Sequence, residues 1–224
     1  MKSTSKWRIL ILAAAAAVCF IGCDSGSDNL GGGGPAPVTV QLTAGADTIM
    51  RGNLTGGSLS RDVCPEDQML IGLSGSSPVM GWIHHLEAIC GIPSVVGAGG
   101  NRFRLNFAAG STLEMRGRVA DPTFERTCPD DRVLVGFRGR SGLLVDRLTL
   151  QCARVIYMQD GGGGWMHQIE DVLDLDPAGG TGGSEFDQTN CPAGQVARGA
   201  NIRHGDGIDA FGMICATPEP VDIE

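Results

Sequence analysis

Two aspartates, each four residues after a glycine, stand out among the residues that could do chemistry because the pattern recurs. Gly142-x-x-x-Asp146 and Gly205-x-x-x-Asp209 both end six residues before a cysteine. A carboxylate can accept two hydrogen bonds from neighbouring hydroxyl groups, and glycine lets backbone N–H groups approach a ligand closely. An aspartate after a Gly-rich turn can also serve the turn alone, by accepting hydrogen bonds from its amides. The residues by themselves leave both interpretations open.

The segment that carries this motif occurs three times in the chain. It starts with Cys-Pro and ends with a cysteine, over residues 64–90, 128–152 and 191–215, and its first cysteines lie 64 and 63 residues apart. A fixed period of this kind indicates an internal repeat. In the first copy, Met80 and His84 stand where the others have glycine and aspartate, so we expect that copy to have lost any such site.

Six cysteines belong to these repeats, and in an exported chain they favour three disulfides. Because the repeat gives each hairpin its own pair, it selects one pairing: Cys64–Cys90, Cys128–Cys152 and Cys191–Cys215. A metal site is the competing interpretation. No Cys-x-x-Cys pair is present, however, and the cysteines are too widely spaced in sequence to suggest one.

The first residues have the layout of an export signal: a basic segment, an apolar run over residues 9–22, and then Cys23. The run is too short to span a bilayer, which takes about 20 residues. Residues 20–23 resemble the lipobox of bacterial lipoproteins, although Phe20 stands in place of the usual leucine. The resemblance implies cleavage after residue 22, a diacylated Cys23 and a membrane-anchored protein of the bacterial envelope, at the outer membrane or cell surface rather than the inner membrane. An ordinary signal peptide cut near residue 22 is the alternative.

Charge and motifs exclude several classes of function. The formal net charge is −8, and removal of Lys2, Lys6 and Arg8 with the signal takes it to −11, so we expect no nucleic-acid binding. We find no nucleophile with a base, no metal-ligand set and no phosphate loop, and therefore expect no enzyme, metal or cofactor. Paired carboxylates for glycoside hydrolysis stay open, because distances are not visible in a sequence. A calcium site that joins Asp206 and Asp209 to residues 170–176 fits no EF-hand spacing.

The chain divides at Gly-rich breaks. We assign residues 1–22 to a signal peptide and residues 23–37 to the lipidated Cys23 and a Gly-rich tether. Residues 38–216 form the body, and residues 217–224 form an acidic tail. The repeats of the body cover 38–96, 101–156 and 165–216. Alternation such as Leu148, Leu150 and Cys152 on one face indicates half-buried strands, about four per repeat, and only residues 165–175 suggest an amphipathic helix. This pattern predicts an all-β body closed by its own pseudo-threefold symmetry.

Two segments resemble the signature of jacalin-type lectins: GFRGRSGLLVD at 136–146 and GGTGGSEF at 179–186. Three repeats with one disulfide each are also similar to vitelline membrane outer layer protein I. The resemblance implies a β-prism of three Greek-key sheets and a metal-free sugar site in which a glycine loop faces the Gly-x-x-x-Asp loop. In repeat 3 it implies a site of Gly182, Gly183, Gly205, Asp206, Gly207 and Asp209, and in repeat 2 it adds Gly142 and Asp146.

Two functions therefore compete. The first is a carbohydrate-binding, lectin-like lipoprotein whose partner is a carbohydrate or surface polysaccharide. The second is a structural or adhesive envelope protein that binds protein or an anionic surface polymer. Residues 101–154 carry a net charge of +4 and residues 160–216 carry −7, which favours salt bridges between repeats over polymer binding. The arginines concerned are Arg102, Arg104, Arg116, Arg118, Arg138 and Arg140. For Trp82 and Trp165, packing in the core or a turn is favoured over stacking on a sugar.

Overall fold

The computed structural model of the protein describes residues 39–78 and 81–221, and their regular structure is entirely β. Twelve strands are long and three have two residues. In chain order they are β1 (Thr39–Ala44), β2 (Arg51–Gly52), β3 (Ser58–Val63), β4 (Met69–Ser76), β5 (His85–Gly97), β6 (Arg102–Thr112), β7 (Arg116–Gly117), β8 (Thr123–Thr127), β9 (Val133–Ser141), β10 (Val145–Gln159), β11 (Trp165–Asp174), β12 (Ala178–Gly179), β13 (Ser184–Asn190), β14 (Val196–His204) and β15 (Ile208–Val221). The predicted signal peptide, Cys23 and the tether lie outside the described residues.

Each repeat supplies the central hairpin of one sheet. The hairpins are β4–β5, β9–β10 and β14–β15. One outer strand, β6, β11 or β1, pairs with the second strand of each hairpin. The other outer strand, β8, β13 or β3, pairs with the first. Two sheets therefore have the order 8-4-5-6 and 13-9-10-11, which is that of a Greek key. They are joined edge to edge, because β6 also pairs with the end of β10. The third sheet repeats the order with strands from both ends of the body.

The outer strands are exchanged between repeats in a ring. β8, β13 and β3 each lead directly into the Cys-Pro of one repeat, yet each pairs with the hairpin of the preceding repeat. Because β3 of the first repeat closes onto β14 of the third, the three repeats form one body. The tips of the hairpins also meet: the Ile83 N–H donates to the Val145 carbonyl (2.8 Å) and the Ile208 N–H to the Ile83 carbonyl (3.0 Å). The predicted all-β, three-repeat architecture is confirmed.

A glycine eight residues after each first cysteine permits this exchange. Gly72, Gly136 and Gly199 pair with Thr127, Asn190 and Val63 on the exchanged strands. A Cβ on Gly72 would lie 2.6 Å from the Arg126 carbonyl oxygen, and one on Gly199 would lie 2.9 Å from the Val63 Cα. Any side chain there would push the exchanged strand away.

The three predicted disulfides are all present, at the centre of the largest core cluster. Cys64–Cys90, Cys128–Cys152 and Cys191–Cys215 have Cα–Cα distances of 5.7 or 5.8 Å, and all six cysteines are buried. Phe137 and Phe211 pack edge to face beside them, with ring centroids 4.9 Å apart. Phe211 therefore faces the core, as its strand position predicts.

Two segments differ from the sequence prediction. Residues 165–175 do not form a helix: β11 pairs with β10 from Trp165 through Asp174, and its half-buried side chains at 165, 167 and 169 follow the period of a strand. Residues 217–221 of the predicted tail belong to the sheet, because β15 continues to Val221 and its last six residues pair with the whole of β1. The remaining residues, 222–224, lie outside the described part of the chain.

A buried histidine makes the stability of this body depend on pH. His85 is 5 % exposed, and its Nδ1 lies 2.6 Å from the Ser76 hydroxyl oxygen, which itself accepts the Ala120 N–H at 3.0 Å. The direction of the bond between Ser76 and Nδ1 depends on the tautomer of the histidine. Burial lowers the pKa of His85, and neighbouring His84 lowers it further against the opposing effect of Glu87.

We therefore expect the protein to lose stability as the pH falls below about 6.5, the pKa of an unfolded histidine. The unfolded chain then binds a proton that folded His85 does not, which costs up to about 1.4 kcal/mol per pH unit until the folded pKa is reached. Urea unfolding at pH 7.5 and 5.0 measures the loss, and the His85→Gln variant should show a smaller difference between the two values. Hydrogen bonds, chiefly to Arg61 and to Gln151, lower the pKa of Asp47 and of Asp174. These two carboxylates therefore stay charged between pH 7.5 and 5.0 and do not contribute to the difference in stability. An equal loss in His85→Gln would show that another group causes it.

Candidate functional site

The Asp209 carboxylate faces a pair of glycines across the junction of two repeats. Asp209 is the second residue of β15, the second strand of the repeat 3 hairpin, and is 8 % exposed. A Cβ built on Gly56 would overlap its Oδ1, and one on Gly57 would lie 2.5 Å from its Oδ2. Gly57 also has φ +52°, in the left-handed region that favours glycine. Only a loop without side chains can lie this close to the carboxylate.

The Asp146 carboxylate has the same surroundings in repeat 2. A Cβ on Gly182 would overlap Asp146 Oδ1, one on Gly183 would overlap Oδ2, and Gly183 has φ +57°. The glycine of each Gly-x-x-x-Asp motif lies close by: Cβ positions on Gly142 and Gly205 would be 3.8 and 4.0 Å from the Oδ2 of Asp146 and Asp209. The chain thus holds two copies of one arrangement.

Both copies combine a free acceptor with free donors. Within the part of the chain that the structure describes, neither carboxylate accepts a hydrogen bond. The N–H groups of Gly57, Gly182 and Gly183 likewise donate to no described residue, whereas Gly56 ends a turn that begins at Asn53. Gly57, Gly182 and Gly183 are exposed, so water reaches these unused groups, and a polar molecule that reproduces the hydrogen bonds of that water can take its place.

Two equivalent arginines hold the glycine loops in place. Arg140 donates from Nε to the Gly182 carbonyl and from Nη2 to the Gly183 carbonyl, both at 2.8 Å. Arg203 donates from Nη1 to the carbonyls of Gly56 and Gly57, at 3.0 and 3.2 Å. Sequence reasoning missed this role. A signal was available, because each arginine lies four residues after the repeated glycine, Gly136 or Gly199.

The predicted grouping of site residues is wrong in one respect. Gly182 and Gly183 were expected to face Asp209, but they face Asp146, which they contact together with Gly142. Asp209 instead faces Gly56 and Gly57, next to Gly205. The reason is the strand exchange, since the loop before β13 lies on the hairpin of repeat 2 and the loop before β3 on that of repeat 3.

Repeat 1 does not reproduce the arrangement in the described residues. His84 replaces the aspartate, and the exchanged loop beside it, residues 118–122, contains no glycine. The equivalent of Arg140 is Ser76, which binds the Ala120 N–H of that loop. Met80, the replacement for the motif glycine, lies outside the described residues.

A cleft of about 520 Å³ opens beside Asp209, between elements of all three repeats. Gly57, Asp206 and Gly207 line it near Asp209, and Trp82, His84 and Arg118 line the repeat 1 side. Trp82 is 43 % exposed, and its ring stacks on His84 with a centroid distance of 5.4 Å and an interplanar angle of 10°. Of the core and turn placements predicted for this tryptophan, the structure shows the turn: Trp82 lies in the loop of the repeat 1 hairpin, packed on His84, and lines the cleft.

Most of the repeat 2 arginines form salt bridges, as the charge pattern favoured. Arg102, Arg138 and Arg140 pair with Glu170, Asp174 and Glu185 of the following repeat, at 2.7–3.1 Å. Arg116 pairs with Asp62 at 2.6 Å and with Glu114 at 3.0 Å. In contrast, the side chain of Arg118 makes no hydrogen bond or ion pair with any described residue. These pairs leave little basic surface for an anionic polymer outside the cleft.

No group of three or more His, Cys, Asp or Glu side chains among residues 39–78 and 81–221 could hold a metal ion. Within these ranges there is also no helix long and apolar enough to cross a membrane.

The ring of three Greek-key sheets, with glycine pairs facing aspartates near the hairpin tips, decides the type of fold. It is a jacalin-like β-prism. No protein-family model matches the sequence, and no relative is found among curated proteins. Several solved structures are similar to this β-prism in fold.

One is the wild-type lectin of Malaysian banana, at 16% identity over 78% of this chain and 99% of the lectin, with a TM-score of 0.49. Another is AcmJRL, a mannose-binding jacalin-related lectin from Ananas comosus, at 17% identity over 76% of this chain and 98% of that one, with a TM-score of 0.47. The agglutinin of Calystegia sepium has 17% identity over 76% of this chain and 95% of its own, with a TM-score of 0.45. These similarities concern the fold alone.

Proposed function

We propose that this β-prism is a lectin that binds carbohydrate at two sites, Asp209 with Gly56 and Gly57, and Asp146 with Gly182 and Gly183. The observation that carries the proposal is the pairing of an unbonded carboxylate with unbonded backbone N–H groups in both places. Each site offers acceptors and donors within reach of the same small polar molecule.

Neighbouring hydroxyl groups of a sugar match this set of groups. Each hydroxyl both donates and accepts, so two adjacent ones can donate to the two carboxylate oxygens and accept from the glycine N–H groups. Hydrogen bonds to a charged carboxylate contribute about 1.5–3 kcal/mol each. Binding of this kind needs neither a metal ion nor a cofactor, and it includes no catalytic step.

The sequence supports a place for the lectin on the bacterial envelope. We infer that Cys23 is diacylated, because of the lipobox resemblance of residues 20–23, and that the Gly-rich tether after it carries the β-prism at the outer membrane or cell surface. Each buried acyl CH₂ contributes about 0.8 kcal/mol, so two chains suffice for a stable anchor. Clustering on a membrane would raise the avidity of two weak sites per chain for a polysaccharide.

The competing function, a structural or adhesive envelope protein, makes a different demand on the aspartates. If Asp146 and Asp209 only shaped their turns, backbone amides would occupy the carboxylates. Neither carboxylate has such a bond in the described residues, and both face a glycine loop, which supports the lectin. A lectin site also needs exposed carboxylates: Asp146 is partly exposed, whereas Asp209 is 8 % exposed and lines the adjoining cleft.

Replacement of the aspartates tests the proposal. On a glycan array, the protein should bind at least one class of glycan, and Asp209→Ala with Asp146→Ala should abolish that binding. Loss of two charge-assisted hydrogen bonds predicts a decrease in affinity of about 100-fold or more at each site. Asp187→Ala, at an exposed aspartate on β13 that faces no glycine pair, is the matched control and should bind as the wild type does. Absence of binding at high glycan density, or binding that survives the double substitution, would leave the structural role.

A further inference from the structure

We propose that the cleft beside Asp209 contains a second subsite, formed by Trp82, His84 and Arg118, that binds an acidic sugar residue next to the sugar held by Asp209. This inference rests on the proposed function. It assigns to the repeat without an aspartate a role in selecting the ligand.

Trp82 supplies an apolar wall for a sugar ring. His84 covers one face of its indole, and the indole edge faces Gly207, where a Cβ would lie 3.3 Å from both Cδ1 and Nε1. The residue is 43 % exposed and lines the cleft, so its uncovered surface is available to a ligand. An aromatic face that a neighbouring ring holds rigid suits the apolar face of a sugar, since little conformational entropy is lost on binding. A side chain at Gly207 would crowd the indole and Leu144, so glycine favours this close approach to the repeat 3 loop.

Arg118 supplies the charge. Its backbone N–H donates to the His84 carbonyl at 3.0 Å, which fixes the residue next to the histidine. Its exposed guanidinium has no carboxylate partner in the described residues, although Arg116, two positions earlier, is bound to Asp62 and Glu114. A guanidinium presents a planar fork of donors that matches a carboxylate.

The distribution of charge in the cleft sets where an anionic group can lie. Asp206 and Asp209 line the repeat 3 side and would repel a second carboxylate there. On the repeat 1 side, His84 stands in place of the third aspartate, so the carboxylate that would oppose Arg118 is missing. The cleft therefore fits a neutral sugar at Asp209 followed by a sugar that carries a carboxylate, as in a polysaccharide containing uronic acid.

A matched pair of oligosaccharides tests this subsite: one neutral, and one in which a single residue is the corresponding uronic acid. Full-length protein would be used in a polyoxyethylene detergent, which carries no sugar, and in an Asp146→Ala background so that only the cleft contributes. By calorimetry we expect about tenfold tighter binding of the acidic member. Arg118→Gln should remove that preference. Trp82→Ala should lower the affinity for both oligosaccharides about tenfold. Arg102→Gln, an exposed arginine that does not line the cleft, is the control and should change neither.

Two other outcomes would overturn the second subsite. Equal affinity for both oligosaccharides, unchanged by Arg118→Gln and Trp82→Ala but abolished by Asp209→Ala, would overturn the second subsite and leave the lectin. Binding of neither oligosaccharide, with no glycan bound on an array either, would overturn the proposed function and this inference with it.

Discussion

Removal of all three disulfides is expected to lower the free energy of unfolding by about 9 kcal/mol, a large part of the roughly 5–15 kcal/mol typical of a whole protein. Each bond closes a loop with a sequence separation of 24–26 residues, for which the restriction of the unfolded chain contributes about 3 kcal/mol. For a body of this size, the melting temperature should fall by about 20–30 °C. Circular dichroism during heating, with and without a phosphine reductant that reaches the buried sulfurs in mild urea, measures the change.

Variants that lack one disulfide separate the contribution of each repeat. Cys191→Ala with Cys215→Ala should cost about 3 kcal/mol, and the corresponding pairs in repeats 1 and 2 should cost about the same, because the loop lengths are nearly equal. The three values should then add up to the effect of complete removal. A loss as large for one pair as for all three would contradict this, and would show that the exchanged strands make the ring fold and unfold as one unit.

The cysteine period was enough to predict the repeats and the disulfides, and the alternation of apolar and polar residues was enough to predict the strands. Equivalent cysteines recur every 63 or 64 residues, and the intervening residues alternate between apolar and polar faces. Both are local features, since each disulfide closes one hairpin and each alternation concerns one strand. Local features of this kind fix what each segment forms, which explains the agreement.

Strand exchange could not be predicted in the same way. β13 has the same alternation whether it pairs with the hairpin of repeat 2 or with that of repeat 3, so the pattern does not choose between partners. The choice depends on contacts between segments, such as the close approach of Val63 to Gly199. One clue was nevertheless present. Thr-Gly-Gly-Ser occurs at residues 55–58 and again at 181–184, which are the two loops that face Asp209 and Asp146.

Tertiary context also decided the structure of a segment whose hydrophobicity was misleading. Trp165, Ile169 and Leu173 recur at a spacing that fits one face of a helix, yet hydrogen bonds to β10 make the segment a strand. For Trp82, packing in the core or a turn was favoured over stacking on a sugar, and the turn is the placement that the structure shows. This tryptophan lies at a hairpin tip, where His84 and Gly207 support it without covering it, and the sequence pattern contains no sign of that support.

We expect a single methyl group added at Gly56 to cause a large loss of glycan affinity. The φ of this glycine lies outside the left-handed region, so the backbone accepts alanine, but the new methyl group would overlap Asp209 Oδ1 and displace the carboxylate. In an Asp146→Ala background, where only the Asp209 site remains, Gly56→Ala should reduce glycan affinity about 100-fold, as far as Asp209→Ala does. Titration of each variant with the glycan identified on the array measures the loss.

Gly182→Ala is the matched control, because it adds the same methyl group to the equivalent loop of the other site. In the Asp146→Ala background it should leave binding unchanged, whereas in an Asp209→Ala background it should abolish binding and Gly56→Ala should be harmless. The grouping expected from the sequence alone, with Gly182 and Gly183 facing Asp209, predicts the reverse in both backgrounds. Because strand exchange alone assigns each glycine loop to the aspartate of the preceding repeat, this pattern of four variants tests the ring of sheets and the location of the sugar sites together.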